Sequence, residues 1–201
     1  GHYENTLANA IAWYFRNEET PFVFRAVNRL DRDTSGLILL AKNPYSSCIL
    51  SDAVKDHAIH REYAAIVSGK TADSGTIDLP IVRKDGSTIE RVCDPERGEA
   101  AVTHYQTIAY NKDADLSFIR LLLETGRTHQ IRVHMKAIGH PLPGDFLYCP
   151  DYRLIDRQPL HSIYLSFSHP VTGKKLEFSA PLPQDMRNLF ADIKNPEGPV
   201  F

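Results

Sequence analysis

Cysteine is scarce in this chain. Cys48, Cys93 and Cys149 are odd in number and far apart, with no Cys-x-x-Cys among them. That excludes a disulfide framework and a thiolate zinc site, and it fits a reducing, cytoplasmic compartment. No apolar stretch reaches the roughly 18 residues that span a bilayer, so no transmembrane helix is expected. The N-terminus lacks a signal-peptide pattern; it starts at Gly1 rather than Met, which leaves room for residues ahead of it. There is no repeat, low-complexity tract or obvious linker. Positive charge is not in excess either: the formal net charge is −2. A polyanion would have to be held by a local patch and not by the whole field of the protein.

Familiar cofactor motifs are also missing. No Gly-x-Gly-x-x-Gly occurs, and Thr34-Ser35-Gly36 lacks the glycine and lysine of a phosphate-binding loop, so no nucleotide cofactor is expected. No serine sits in a glycine elbow. Nine histidines invite a metal, but His129, His134 and His140 are five and six apart and do not share a helical face as an i, i+4 pair would. The expectation is no metal and no cofactor.

What is present begins with Arg29-Leu30-Asp31-Arg32-Asp33-Thr34-Ser35-Gly36, followed by the apolar run Leu37–Ala41. The run reads as a buried strand, which puts the charges at the mouth of a core element, where they are costly unless paired. Taken alone the octet equally fits a solvated loop with a surface ion pair. A second segment runs from Arg61 to Gly69; period-two alternation sets Arg61, Tyr63 and Ala65 on one face, and by itself Tyr63 is an ordinary half-buried strand aromatic. The third runs from Leu123 to His134, a strand passing through a glycine turn into a helix whose first turns carry Arg127, His129 and Arg132. Arginine at a helix N-terminus suits a phosphate or a buried carboxylate; a solvated basic helix face has the same pattern.

The 201 residues suit one domain, or one and a small second. Helices are expected at Thr6–Asn17, with Leu7, Ile11 and Tyr14 on one face, and from Asn43-Pro44 to about Asp56. A third is expected from a Thr128 cap to Gly139, with Ile131, Met135 and Ile138 toward the core, and a fourth at Gln184–Ile193. Strands are expected at Glu62–Ser68, Gly75–Arg83, Ala101–Tyr110, Asp115–Glu124, Leu160–Phe167 and Lys175–Ser179, with a hairpin connection at Asn111-Lys112-Asp113 and a turn at Thr172-Gly173. Strands outnumber helices and short turns separate several. The expected class is therefore α+β, a mixed and largely antiparallel sheet with flanking helices.

The three segments, in this order and spacing, resemble the RluA-type family of RNA pseudouridine synthases. The first motif stands here as Asn28-Arg29-Leu30-Asp31-Arg32-Asp33-Thr34-Ser35-Gly36, with Asn28 in place of the usual histidine. The second is carried by Tyr63, Ala65, Val67 and Gly69. The third runs unbroken from Thr125 to His134 and continues into Gly139-His140-Pro141-Leu142 and Gly144-Asp145-x-x-Tyr148, with Cys149 where glycine is usual. The resemblance covers nearly the whole chain, so that residues 1–201 would form one catalytic domain with its cleft across the sheet; the family's opening strands and the S4-like domain of many members are absent from this sequence.

The resemblance implies an isomerase that converts uridine in ribosomal or transfer RNA to pseudouridine without a cofactor, acting as a monomer. It implies Asp31 as the catalytic carboxylate, either adding to C1′ or taking a ribose proton. Asp33, two residues on, is the rival in register. Arg132 would be its cation, Tyr63 would stack on uracil and take the C5 proton, and Arg29 would fill the gap left by the extruded base, with Arg127 and Ile131 on the substrate side. Two other classes remain open: a non-catalytic RNA-binding domain that retains the site, and a hydrolase pairing Asp31 with a second carboxylate.

Overall fold

The computed structural model describes residues 4–17, 23–190 and 199–201. The chain divides into two compact units: one of Gly1–Leu30, Ile38–Ile59 and Phe167–Leu176, the other of Asp31–Leu37, His60–Ser166 and Glu177–Phe201.

The first unit holds two helices. Helix α1 (Leu7–Tyr14) starts at Thr6, whose hydroxyl accepts from the Asn9 backbone while the Asn9 side chain returns to the Thr6 N–H. These reciprocal bonds satisfy two end donors and fix the start of the expected helix. Its predicted apolar face is not covered: Leu7 and Tyr14 are exposed, as is Trp13. Helix α2 (Pro44–Lys55) begins at Asn43 with Pro44 in the first turn, as the sequence indicates. Asn28 is buried here, and its side-chain oxygen accepts from the Leu39 N–H at 2.7 Å.

The second unit carries the main sheet. Strands β1 (Ser35–Gly36), β2 (His60–Ser68), β3 (Ser74–Asp78), β6 (Val102–Asn111), β7 (Leu116–Leu123) and β8 (Leu160–Ser168) run in the order β1-β8-β2-β7-β6-β3, and β9 (Lys175–Ser179) also pairs with β8. Only β1 against β8 is parallel among the registered pairs, so the sheet is mixed and largely antiparallel, as expected. A separate hairpin joins β4 (Ile81–Arg83) to β5 (Arg91–Cys93). Helix α3 (Gln130–Ala137) packs against β5 and β6, and α4 (Gln184–Arg187) supplies Met186 to the core. One cluster built from Ile66, Phe118, Ile163, Leu182, Met186 and Phe190 lies against the centre of the sheet; another joins Ile81, Ala101, Val133 and Tyr148. Burial of such side chains contributes about 1.5–3 kcal/mol each.

Four expectations need correction. Leu37–Ala41 is not a continuous buried strand: the ladder with β8 ends at Gly36, Leu40 makes an isolated antiparallel bridge to Ala26, Leu37–Leu40 are half-buried and only Ala41 is buried. Gly36 adopts φ +108°, which turns the chain out of the ladder. Gly75–Arg83 is two strands, not one, broken at Leu79-Pro80, because proline has no N–H for a ladder. The cap of α3 is His129, in a left-handed conformation at φ 60°, rather than Thr128. The closing helix is a single turn, Gln184–Arg187; the part expected from residue 191 onward lies outside the described residues. The short strand β5 was not foreseen.

Gly36 marks where sequence and packing meet most tightly. A Cβ there would stand 2.2 Å from the Ser162 carbonyl oxygen, in a conformation L-residues avoid. Gly36→Ala is therefore expected to destabilise the fold by about 2 kcal/mol or more. Gly173→Ala, also at positive φ but with nothing within 4 Å of the added carbon, should cost only about 1 kcal/mol. Urea unfolding of the two variants beside wild type checks this; equal losses would show that close approach at Gly36 is unimportant.

Candidate active site

The first and third motifs meet within the second unit, where Asp31 contacts Arg132. The arginine side chain is 1% exposed. The Nε donates to Asp145 Oδ2 at 2.6 Å and the Nη2 to Asp145 Oδ1 at 2.7 Å, a side-on fork. The remaining Nη1 donates end-on to Asp31 Oδ2 at 3.2 Å. Asp145 is fully buried and also accepts from the backbone N–H groups of Leu147 and Tyr148. Asp31 keeps 14% of its side chain exposed. The guanidinium carbon lies 5.0 Å from the Tyr148 ring centre and 5.4 Å from that of Phe146, within cation–π range. Burial opposes the charge of Arg132, but the hydrogen bonds and charges of Asp145, then Asp31, raise its pKa above the ordinary arginine value.

The sequence around Arg132 works mainly as scaffold. The buried Gln130 side chain donates to the Val102 carbonyl and the Thr103 hydroxyl, and accepts from the Thr125 hydroxyl and the Arg127 N–H. All its polar atoms are satisfied. His134 bridges the Thr103 hydroxyl and the Leu79 carbonyl, each at 2.9 Å. Since a carbonyl only accepts, Nε2 carries the proton toward Leu79 and Nδ1 accepts from Thr103. These bonds tie α3 to β6 and so fix where Arg132 emerges.

The loop bearing Asp31 is held from behind. Gln158 Nε2 donates to the Arg32 carbonyl at 2.5 Å and Arg157 Nη1 to the Asp33 carbonyl at 3.0 Å, while the Thr34 N–H closes a turn onto the Asp31 carbonyl at 3.0 Å. Asp33 sits at φ 69° with its side chain 41% exposed, paired to Arg32; Arg132 contacts Asp31 and not Asp33. Gly144, at φ +72°, has the Ile155 carbonyl oxygen 2.5 Å from where a Cβ would stand, and this close approach places Asp145.

Tyr63 is buried on β2 beside a register shift between Glu62 and Tyr63. Burial pushes its phenol above the ordinary value; the Arg61 charge opposes this and the Asp31 charge adds to it. Tyr148 accepts from the Arg91 N–H at 2.9 Å and meets His129 Nδ1 at 2.9 Å, with burial raising its phenol to about 12. Ile131 is buried in α3. Arg127 is exposed and is not part of this cluster: it pairs with Glu99 at 2.5 Å and donates to the Ala100 carbonyl. Arg29 is exposed in the first unit. Among the described residues no cluster of three or more metal-ligating side chains occurs, and no helix is long and apolar enough to cross a membrane.

Sequence reasoning assigned no role to Asp145, Gln130 or Tyr148. The available signal for Asp145 was its place between a glycine and a tyrosine shortly after an arginine-bearing helix. Nothing in the spacing says that one arginine would serve two carboxylates.

His129, His134 and His161 are all held below the usual histidine value of 6.5, in each case first by burial. The unfolded chain therefore binds protons at a pH where the folded one does not. Stability should begin to fall as pH drops through about 6.5 and go on falling until the lower folded values are reached. Denaturant unfolding at pH 7.5 and 5.5 should show the loss, and His134→Gln should make it smaller. A pH dependence untouched by that substitution would rule out His134 as a contributor.

Residues 5–137 match the sequence model of a family described as RNA pseudouridylate synthase. The chain is 47% identical over 189 residues to an uncharacterised RNA pseudouridine synthase of Bacillus subtilis, YjbO, covering 94% of this chain and 66% of that protein. It is 41% identical over 207 residues to ribosomal large subunit pseudouridine synthase D of Zymomonas mobilis, covering 94% and 64%. The chain thus spans somewhat under two thirds of the length of these relatives. The solved structure of human RNA pseudouridylate synthase domain containing 1 superposes with a TM-score of 0.70 at 25% identity, covering 87% of this chain and 83% of that one.

Proposed function

This chain belongs to the RNA pseudouridylate synthase family, and from that premise we propose that it isomerises uridine in RNA to pseudouridine, with Asp31 as the carboxylate that opens the reaction. The observation that carries this reading is the Asp31–Arg132–Asp145 chain, in which a buried arginine keeps one hydrogen bond for a partly exposed carboxylate. Asp31 either adds to C1′ or removes a ribose proton. In both routes the N1–C1′ bond breaks, the uracil turns while bound, C5 bonds to C1′, and the C5 proton is lost as N1 gains one. Substrate and product are isomers, so no oxidant, reductant or cofactor is needed.

Arg132 orients Asp31 through an end-on hydrogen bond and sets a positive charge beside it. Asp145 is a positioning residue, since all its contacts go to Arg132 and to backbone. Tyr63 suits stacking on uracil. Taking the C5 proton would require its phenolate, which burial and the Asp31 charge disfavour. Base extrusion is part of the reading, because the reacting bonds are inaccessible within a stack; Arg29 is the residue proposed to fill the gap. The RNA is ribosomal on this reading, by likeness to relatives whose names specify the large ribosomal subunit, with transfer RNA as the competing substrate. A hydrolase with two carboxylates is disfavoured because Asp145 has no free oxygen to act as an acid.

Asp31→Asn should lower the single-turnover rate on a ribosomal RNA transcript at least about a thousandfold while leaving RNA affinity near wild type. Asp33→Asn should stay within about tenfold. Pseudouridine formation by Asp31→Asn near the wild-type rate would end the assignment, and release of free uracil by wild type would replace it with hydrolysis.

Arg132→Met should damage the chemical step more than binding, because it removes the hydrogen-bond donor that orients Asp31. Arg132→Lys should be intermediate, restoring charge without the fork. Single-turnover rates with separate binding measurements check this. Loss of affinity alone, at an unchanged rate, would make Arg132 a phosphate contact.

A further inference from the structure

Beside the β4–β5 hairpin and the loop leading into α3 is a cleft of about 410 Å³ whose lining includes Arg83, Arg91, Arg97, Arg127 and Glu99. Four guanidinium groups and one carboxylate in one lining make a local positive site in a chain of net charge −2. Two of the four are neutralised from within: Arg97 by Asp94 and Asp85, and Arg127 by Glu99.

The other two are not. Arg83 and Arg91 are register partners across the hairpin. The Arg91 side chain donates only to the carbonyls of Ile89 and Glu90, and among the described residues neither arginine makes an ion pair. Like charges directly across a strand pair are destabilising. The neighbouring residues show the opposite choice: Lys84 and Glu90 pair at 2.8 Å. An anion set between Arg83 and Arg91 would complete the arrangement, and planar forks suit phosphate oxygens.

The cleft is also tied to the candidate site. The Arg91 N–H donates to Tyr148, whose hydroxyl meets His129 and whose ring packs on Arg132. Gly126, Arg127 and Thr128, which help to line the cleft, lead directly into α3. An anion held here is thereby placed in fixed relation to Arg132. We propose that this cleft binds a backbone phosphate of the RNA strand that carries the target uridine. The proposal rests on the uridine-isomerising reading above and adds to it the place where the strand is gripped.

The test uses the full chain carrying Arg83→Gln, Arg91→Gln and both together; the backbone bond from Arg91 to Tyr148 survives either change. Binding of a labelled large-subunit ribosomal RNA transcript is titrated across a salt series, beside single-turnover rates at saturating RNA and thermal unfolding. The double variant should bind about tenfold or more weakly at low salt, with a log–log salt slope shallower by about one, as for one lost phosphate contact. Its rate at saturation should stay within about twofold, and its unfolding temperature should equal or exceed wild type because a like-charge pair has gone. Unchanged affinity and slope would overturn the proposal. So would an effect confined to inorganic phosphate, titrated in parallel, because that would mark a site for a small anion. Normal salt-dependent binding with the expected variant effect, but no pseudouridine from wild type, would sink the isomerase reading and leave the cleft standing. Turnover by wild type with an unaffected double variant would do the reverse.

Discussion

The guanidinium of Arg132 is shut off from water and has to find its partners inside the protein. Bringing a charge into such a place costs several kcal/mol per ion, and a partner repays that only with good geometry and with its own remaining lone pairs satisfied. Asp145 meets both conditions: two bonds from Arg132 at 2.6 and 2.7 Å and two from backbone N–H groups. Much of the second unit can be understood as the means of holding these two groups in register. Gln130 and His134 fasten α3, Gly144 allows the close backbone approach that sets Asp145, and Phe146 and Tyr148 lie within cation–π range of the guanidinium.

This arrangement gives the long third motif a physical meaning. Of the ten residues from Thr125 to His134, Thr125, Gln130 and His134 form a buried polar network with Thr103 and the Val102 and Leu79 carbonyls. A network of this kind is useful only when complete, since each unsatisfied member would cost about 1–3 kcal/mol. That requirement explains why amides and hydroxyls of fixed length recur along a stretch where only one side chain reaches Asp31.

The sheet was legible because its strands obey local rules. Glu62–Ser68, Ala101–Tyr110 and Leu160–Phe167 are dense in β-branched and aromatic residues and end at turn formers, and they appear within a residue or two of their expected bounds. The errors fall where a single backbone group overrides composition: Pro80 dividing one apolar run into two strands of different sheets, and Gly36 ending the ladder with β8 so that Leu37–Ala41 is left with an isolated bridge to Ala26. The apolar stripe of α1 was visible, but periodicity cannot say whether a face will be covered. In the site, the contact between Asp31 and Arg132 spans 101 residues of sequence and was reachable only through family resemblance. Asp145 stood in the third motif without a role, because that role is defined by which carboxylate the fork of Arg132 meets in the fold.

The two carboxylates on Arg132 are not equivalent, and the difference bears on chemistry. Asp145 takes the side-on fork, the shorter bonds and the backbone amides, which leaves its oxygens fully engaged. Asp31 takes one end-on bond at 3.2 Å and keeps partial exposure. Had Arg132 offered its fork to Asp31, both carboxylate oxygens would be tied in short charge-assisted bonds, which on the proposed mechanism would leave less electron density for attack on C1′ or for a ribose proton. Had Asp145 been absent, the arginine would have carried uncompensated donors into the core and would turn its fork toward the one remaining acid. The buried carboxylate therefore does more than stabilise an arginine. By occupying the fork it limits how strongly Asp31 is held, leaving that carboxylate a single end-on bond from the arginine.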